Sequence, residues 1–431
     1  MLLVYTHKIT NRFSYITKHI FVHLLGIDIV LTTKVEDFIK HTGPKITYTK
    51  QPLQNEFFVR SNDLLFEQGI NDIDIIVQDW DGVPCFFKTD ERSAIPYDIF
   101  SASFFLLSRY EEYLPHVKDD LGRFPPKTSL AFQNHFLELP VVDLWVVKFL
   151  GVLKTRFPEI VVKPKKYRFT SIINVTTSHR FAFRGFARSV GGLIRDLSKF
   201  KLTDMARRFL VWFDSGKDPF DNFSRLMQVH KKFKLRTMFF FQFADYSTHD
   251  KNISIHNNRF RYLVKSVADY SIVSLSASMA AGNDVAVLKI EKKRLSNLIN
   301  RPIKYVRLRY NKVFVPHTYR NLVEAEFTDD YSLGYTHFIG FRAGTCSPFA
   351  FFDINLEVQQ PIKVHPFAVC DYALQPFKKQ SEVFSKLDEI YKNIKSVKGE
   401  FIMVSSNELL GTKDRLNRLQ LYEEALKRYY V

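Results

Sequence analysis

Short apolar runs alternate along this chain with stretches whose apolar residues recur every three to four positions, and that alternation predicts the architecture. Leu2–Thr6, Ile27–Thr32, Ile46–Thr49 and Ile73–Val77 read as strands, and Asn11–Leu25, between the first two, reads as a helix. Ile99–Tyr113, opening after Pro96, predicts a long buried helix ending in Arg109-Tyr110-Glu111-Glu112-Tyr113; Pro115, Gly122 and Pro125-Pro126 predict a loop behind it. Phe157–Lys166, with two prolines and three lysines, marks a boundary, so an N-terminal α/β domain at 1–165 precedes a second domain at 166–431.

Beyond the boundary the pattern restarts with a strand at Arg168–Val175. It continues with strands at Arg236–Ala244, Ile272–Leu275, Tyr305–Leu308, His337–Phe341, Ile362–Val364 and Phe401–Val404. Helical segments lie between most of them, among them Arg259–Tyr270, Ala286–Ile299 and Lys379–Lys398. Seven strands, each leading to a helix or loop, predict a distorted, open parallel (β/α)7 barrel.

Composition narrows the class. Of 431 residues, 46% are hydrophobic and 25% charged, the balance of a folded globular protein of about two domains. Phe 42 and Tyr 20 supply rings that either fill a core or line a groove for flat ligands. Three cysteines, Cys85, Cys346 and Cys370, without a C-x-x-C pair, exclude a disulfide framework or a cysteine-rich zinc module and suit a reducing compartment. The start, Met1–Lys8, lacks the pattern of a secretory signal, and a long uncharged stretch, Ser271–Asn283, is 13 residues against the roughly 20 of a membrane span. A soluble, cytoplasmic protein is expected, with the inner face of the membrane within its reach.

Charge singles out two windows. Lys+Arg 62 less Asp+Glu 45 gives +17. Arg180–Arg236 holds 14 basic and 5 acidic residues (+9), and Lys289–Lys312 holds 9 and one (+8), so the two account for the whole excess. Within the first, about 185–215, Arg188, Arg195, Arg207 and Arg208 interleave with apolar residues as one or two amphipathic helices with a cationic face. Such a face fits an anionic polysaccharide, a glycolipid precursor or a partner enzyme; it equally fits an ordinary solvated helix packed on a barrel.

Six stretches together resemble a known group. They are Phe105–Tyr113, Leu121-Gly122-Arg123-Phe124, Gly191–Leu197, Asp218-Pro219-Phe220-Asp221, Asp245-Tyr246 with Asp250–Ser254, and Gly340–Thr345. In this order they are similar to bacterial polysaccharide deacetylase-like proteins, which place an α/β domain of unknown function before a distorted barrel of the NodB-homology, carbohydrate-esterase type. The resemblance implies a metal-dependent N-deacetylase of an acetylated sugar. In that chemistry a divalent ion such as zinc activates water, an Asp takes its proton and a His protonates the leaving amine.

The residues the family uses are replaced here. Where it has Asp-x-Asp after the first barrel strand, this chain has Asn174-Val175-Thr176; for His-Pro after the third it has Ser276-Ala277; for His-Asn on the last it has Ser406-Asn407. Amides and hydroxyls are weak zinc ligands and shuttle no proton at neutral pH, so the resemblance implies a pseudoenzyme without a metal cofactor. Arg342, in Gly340–Thr345, resembles an arginine that orients the base. With Asn174 as its partner it is free for an anion, or else it is a structural arginine paired with a nearby acid such as Asp245 or Asp371.

Other constellations are thin. His19 and His23 stand four apart but lack the Glu of H-E-x-x-H; His249-Asp250 and His365 with Asp371 could form a relocated metal site only by converging. Gly191-Gly192 does not follow a strand as a phosphate loop does, and Ser276, Ser406 and His179 have no spacing that makes a triad. Three readings remain: a non-catalytic binder of an anionic glycan or glycolipid, using Arg188, Arg195, Arg207 and Arg208 with Asn407 and Asp371; an active deacetylase with a relocated site; and, from charge alone, a nucleic-acid binder without a recognised motif.

Overall fold

The computed structural model describes residues 1–213, 216–412 and 414–430. Strands β1 (Leu2–Tyr5), β2 (Ile29–Thr32), β3 (Lys45–Thr49) and β4 (Phe57–Arg60) form an all-parallel sheet in the order β2-β1-β3-β4. A hairpin of β5 (Gln78–Trp80) and β6 (Val83–Cys85) follows. Ile73–Val77 forms no strand: Ile73, Ile75 and Val77 lie half-buried on the core, so their alternation reflects packing without a partner strand. The helix expected to reach Tyr113 stops at Leu107. Asp98 caps its start, accepting from the N–H groups of Phe100 and Ser101, and Arg109 turns left-handed at φ 57° past its end.

The second sheet carries nine strands: β7 (Arg168–Val175), β8 (Met238–Gln242), β9 (Ile272–Ala277), β10 (Tyr305–Leu308), β11 (Asp329–Asp330), β12 (Phe349–Asp353), β13 (Val358–Val364), β14 (Val369–Cys370) and β15 (Glu400–Ser406). Their order is β12-β13-β11-β10-β9-β8-β7-β15-β14, all parallel except β12 against β13. The parallel set is thus eight strands and not seven. His337–Phe341 is not among them, because Gly340 at φ 136° folds that stretch onto the carbonyl of Leu137.

The sheet curls about a packed interior of Ile172, Met238, Phe240, Tyr331, Ile402 and Val404. Among the described residues its edges β12 and β14 do not pair. One segment bridges the gap instead: His365 N–H donates to Asp330 O at 2.8 Å, Phe367 N–H to Leu333 O at 3.0 Å, and Ala368 N–H to Ile402 O at 3.3 Å. A single hydrophobic core runs from Leu2 and Phe13 through Phe104 and Trp145 to Phe241, Phe352 and Leu426, joining the two sheets.

Two helices, Phe186–Ser198 and Leu202–Trp212, form a hairpin between β7 and β8 over the carboxyl ends of the parallel strands. That end of such a sheet is where ligands bind, because the connecting loops converge there.

Candidate anion-binding site

Inward-facing positions repeat every second residue, and those above the apolar interior are polar. Register places Asn174 beside Ser406, Gln242 beside Ser276, and Ser276 beside Arg307. The Oδ1 of Asn174, the Oγ of Ser276 and the Oε1 of Gln242 are buried without a hydrogen-bond partner. Ser406 donates both its N–H (2.6 Å) and its hydroxyl (3.0 Å) to Oδ2 of Asp371. Burial pushes the Asp371 carboxyl up to about 6, with the bonds from Ser406 opposing it. Thr176 donates to Glu408 at 2.6 Å, and Asn407 donates its amide to the carbonyls of Thr177 (3.0 Å) and Phe220 (3.2 Å). Asn407 and Asp371, expected to bind a ligand, are therefore spent on holding strand ends together.

This donor set does not fit a catalytic zinc ion. It offers neutral amides and hydroxyls, and among the described residues no three His, Cys, Asp or Glu side chains gather into a metal-holding group. His365 lies at the opposite end of the sheet from Asp371, 2.8 Å from Asp329 and 3.8 Å from Glu400. Asp250 points into the protein, accepting from Gln242, from Ser247 at 3.0 Å and from the N–H of Met279 at 3.3 Å, while His249 faces a cavity. His19 is buried and pulled down to about 3 by that burial, and His23 is exposed. His179 bonds the hydroxyl of its neighbour Ser178 at 3.1 Å and approaches Asp221 at 3.9 Å.

Arg342 is the structural arginine of the second alternative and is not free for an anion, but its acid is Glu112 and not Asp245 or Asp371. Fully buried, it donates to both carboxylate oxygens of Glu112 at 2.9 and 2.6 Å, and Arg109 donates to the same carboxylate at 2.8 Å. Burial works against ionisation of Glu112, but the two guanidiniums overcome it and hold the carboxyl below its ordinary range. Nearby, Asp143 accepts from the hydroxyl of Thr345 (2.6 Å) and the N–H of Cys346 (3.0 Å). The stretches Phe105–Tyr113 and Gly340–Thr345 are thus the seam between the two sheets.

The cavity with the strongest chemical character lies above the polar row, between the strand ends and the helical hairpin, with a volume of about 530 Å³. The loop after β7 supplies Arg180 and Arg184, the hairpin Arg188, Arg195 and Arg208, the loop after β8 Lys251, and the loop after β10 Arg309. Against these seven cations stand two lining carboxylates, Asp196 and Glu408. Phe181, Phe220, Tyr246 and Tyr310 add aromatic walls.

Loop carboxylates build this wall. Asp218 accepts from the N–H groups of Arg180 (2.8 Å), Phe181 (2.7 Å), Ala182 (2.9 Å) and Phe220 (3.0 Å), which fixes the β7 loop. Asn252 accepts from Ser178 N–H at 3.1 Å and donates to Gln242 O at 3.0 Å, fixing the loop after β8. In the hairpin, buried Arg208 pairs with Asp196 at 2.5 Å, and Gly192 leaves room for its guanidinium, since a Cβ there would stand 2.7 Å from Nη1. Gly192 therefore serves helix packing, whereas a Cβ at Gly191 would meet nothing within 4 Å. Tyr310 holds a left-handed φ of 57°, a strained conformation of the kind that clusters at functional sites.

Among the described residues, several of these cations lack a carboxylate partner, while Arg195 has Asp196 at 3.7 Å. Arg180 has Asp204 at 2.7 Å and Arg309 has Asp250 at 3.9 Å. Arg184 donates to the carbonyl of His179 at 3.0 Å, and Arg188 donates to the carbonyl of Asn252 at 3.3 Å while its guanidinium lies 4.6 Å from the Tyr246 ring centre. Burial pulls Arg184 below its ordinary pKa, with Arg208 adding to the effect against Asp218 and Glu408. An anion entering the cavity would relieve that cost. Of the four arginines expected to bind, Arg188, Arg195 and Arg208 line the cavity and Arg207 stands outside it, exposed. Arg180, Arg184, Lys251 and Arg309 were not anticipated.

Residues 2–158 match a family model described as a family of unknown function (DUF7033). No curated protein is significantly similar to the chain. Solved structures with a similar backbone include a probable polysaccharide deacetylase from Pseudomonas aeruginosa (11% identity, 61% of this chain and 85% of that one, TM-score 0.40). They also include the polysaccharide deacetylase Bc1974 from Bacillus cereus (12%, 61% and 88%, TM-score 0.30). A third is a carbohydrate-esterase pseudoenzyme from Bacillus anthracis (8%, 61% and 63%, TM-score 0.28).

Proposed function

We propose that this protein binds an anionic sugar, phosphorylated or carboxylated, in the cavity over the strand ends, and does not hydrolyse it. The observation that carries this reading is the seven cations against two carboxylates around about 530 Å³, with Arg184 and Arg188 lacking a carboxylate partner among the described residues. Guanidiniums grip phosphate and carboxylate oxygens in pairs, and aromatic walls such as Tyr246 and Tyr310 suit the apolar face of a sugar ring. Loss of deacetylase chemistry follows from Asn174, Thr176, Ser276 and Ser406, which offer no base, no acid and no strong ligand.

Calorimetric titration with N-acetylglucosamine 1-phosphate and its neutral parent sugar tests the reading. Saturable binding of the phosphate ester is expected, weakening as salt rises, with a loss of about tenfold or more in Arg184→Ala/Arg188→Ala. No saturation, or equal binding of the neutral sugar, would count against it. So would stoichiometric acetate release on adding Zn²⁺.

A further inference from the structure

Amphipathic helices on a globular protein turn their apolar side inward. The hairpin of Phe186–Ser198 and Leu202–Trp212 does the reverse. Its buried charged residues, Asp196 and Arg208, pair with each other beside the cavity. Its outer side shows Phe200 (85% exposed), Leu202 (67%), Ile194 (62%), Leu197 (55%) and Leu210 (51%), with Trp212 partly exposed. So many large apolar side chains exposed on one hairpin mark a face that something covers.

Charge decides what covers it. Lys199, Lys201 and Arg207 are exposed on the same hairpin, and Lys199 and Lys201 flank Phe200 at its tip. Both acids of the hairpin are engaged with arginines, Asp196 with Arg208 and Asp204 with Arg180. A second copy of the chain meeting this face symmetrically would set these cations against their own kind. Anionic headgroups over a hydrocarbon layer complement both features at once. The helices, of 13 and 11 residues, are too short to cross a bilayer, and no described helix is long and apolar enough to do so.

We propose that the outer face of this hairpin docks the protein onto an anionic lipid bilayer, Phe200 and Leu202 entering the headgroup boundary and Lys199 and Lys201 meeting lipid phosphates. The docking face is separate from the cavity, since Phe200, Leu202, Leu197, Lys199 and Lys201 are not among the residues that line it, so each is tested alone.

Cosedimentation of the full chain with phosphatidylglycerol/phosphatidylcholine vesicles tests it, compared with pure phosphatidylcholine. Binding to the anionic vesicles is expected, together with a blue shift of Trp212 emission, since Trp80 and Trp145 are already buried and their emission should stay in place. Leu197→Ser/Phe200→Ser/Leu202→Ser should weaken binding about tenfold or more, while titration with N-acetylglucosamine 1-phosphate stays as in the parent. That unchanged sugar binding, or an unchanged circular dichroism melt if the parent binds no sugar, shows the variant folded. The proposal is overturned if the parent ignores anionic vesicles, if the folded variant binds them as the parent does, or if the parent is a dimer that the variant dissolves.

Discussion

Glu291 shows what one buried carboxyl imposes on this structure. It sits on the helix Val285–Ile299 and accepts the N–H of Ser278 at 3.1 Å, and burial pushes it from its ordinary 4.5 up to about 7, with the charge of Asp250 adding to the shift. Below its unfolded value it is protonated in both states and its titration has no effect on stability. Between there and about 7 the folded state holds the proton more firmly, so stability falls as pH rises across that window. Glu291→Gln keeps an accepting oxygen for Ser278 and removes the titration. In urea denaturation its advantage over the parent should grow by roughly 2 kcal/mol between pH 5 and pH 8. Parallel profiles for the two proteins would show that Glu291 ionises freely in the fold.

At the scale of elements, glycines separate a seam from a free helix face. Gly340 holds φ 136°, and a Cβ there would stand 2.5 Å from the carbonyl oxygen of Leu137; Gly151, on the exposed side of the helix Val141–Arg156, has nothing within 4 Å. Gly340→Ala should destabilise by more than about 2 kcal/mol, whereas Gly151→Ala should stabilise by about 0.5 to 1 kcal/mol. Equilibrium unfolding of both variants checks this, and equal effects would mean the seam yields easily. Strands β4, β5, β6 and β12 and the helix Val141–Arg156 went unread, but β7 and β10 have the bounds the sequence suggests and the helix Val285–Ile299 starts one residue early, so these were legible from local pattern. The two-residue strands β11 and β14 were not, because two residues carry no period. Nor was the orientation of the hairpin. Periodicity shows that a helix has two faces, but which face turns inward depends on what packs against it.

The same limit governs the site and the whole molecule. The charge windows Arg180–Arg236 and Lys289–Lys312 stand out in the sequence, and their meeting at one mouth, where Arg309 joins Arg184 and Arg188, is a long-range contact that no local pattern records. Much of the second window is structural: Lys289 pairs with Glu324, Lys292 donates to Ala325 O, Arg301 to Ala268 O, and Arg307 is buried. The two sheets likewise depend on each other. Their apolar core is continuous, and the seam buries Arg12 against Glu357, Arg342 against Glu112 and Asp143 against Thr345. Were one part to unfold alone, the other would keep charged groups whose partners had left, at a cost of about 3 to 5 kcal/mol for each broken buried pair. Calorimetry should therefore show one transition, its calorimetric and van't Hoff enthalpies equal, despite a length that ordinarily allows two. Arg342→Ala should shift that single transition downward without splitting it. Two resolved transitions in the parent protein would mean that the two sheets are stable apart and the seam is incidental.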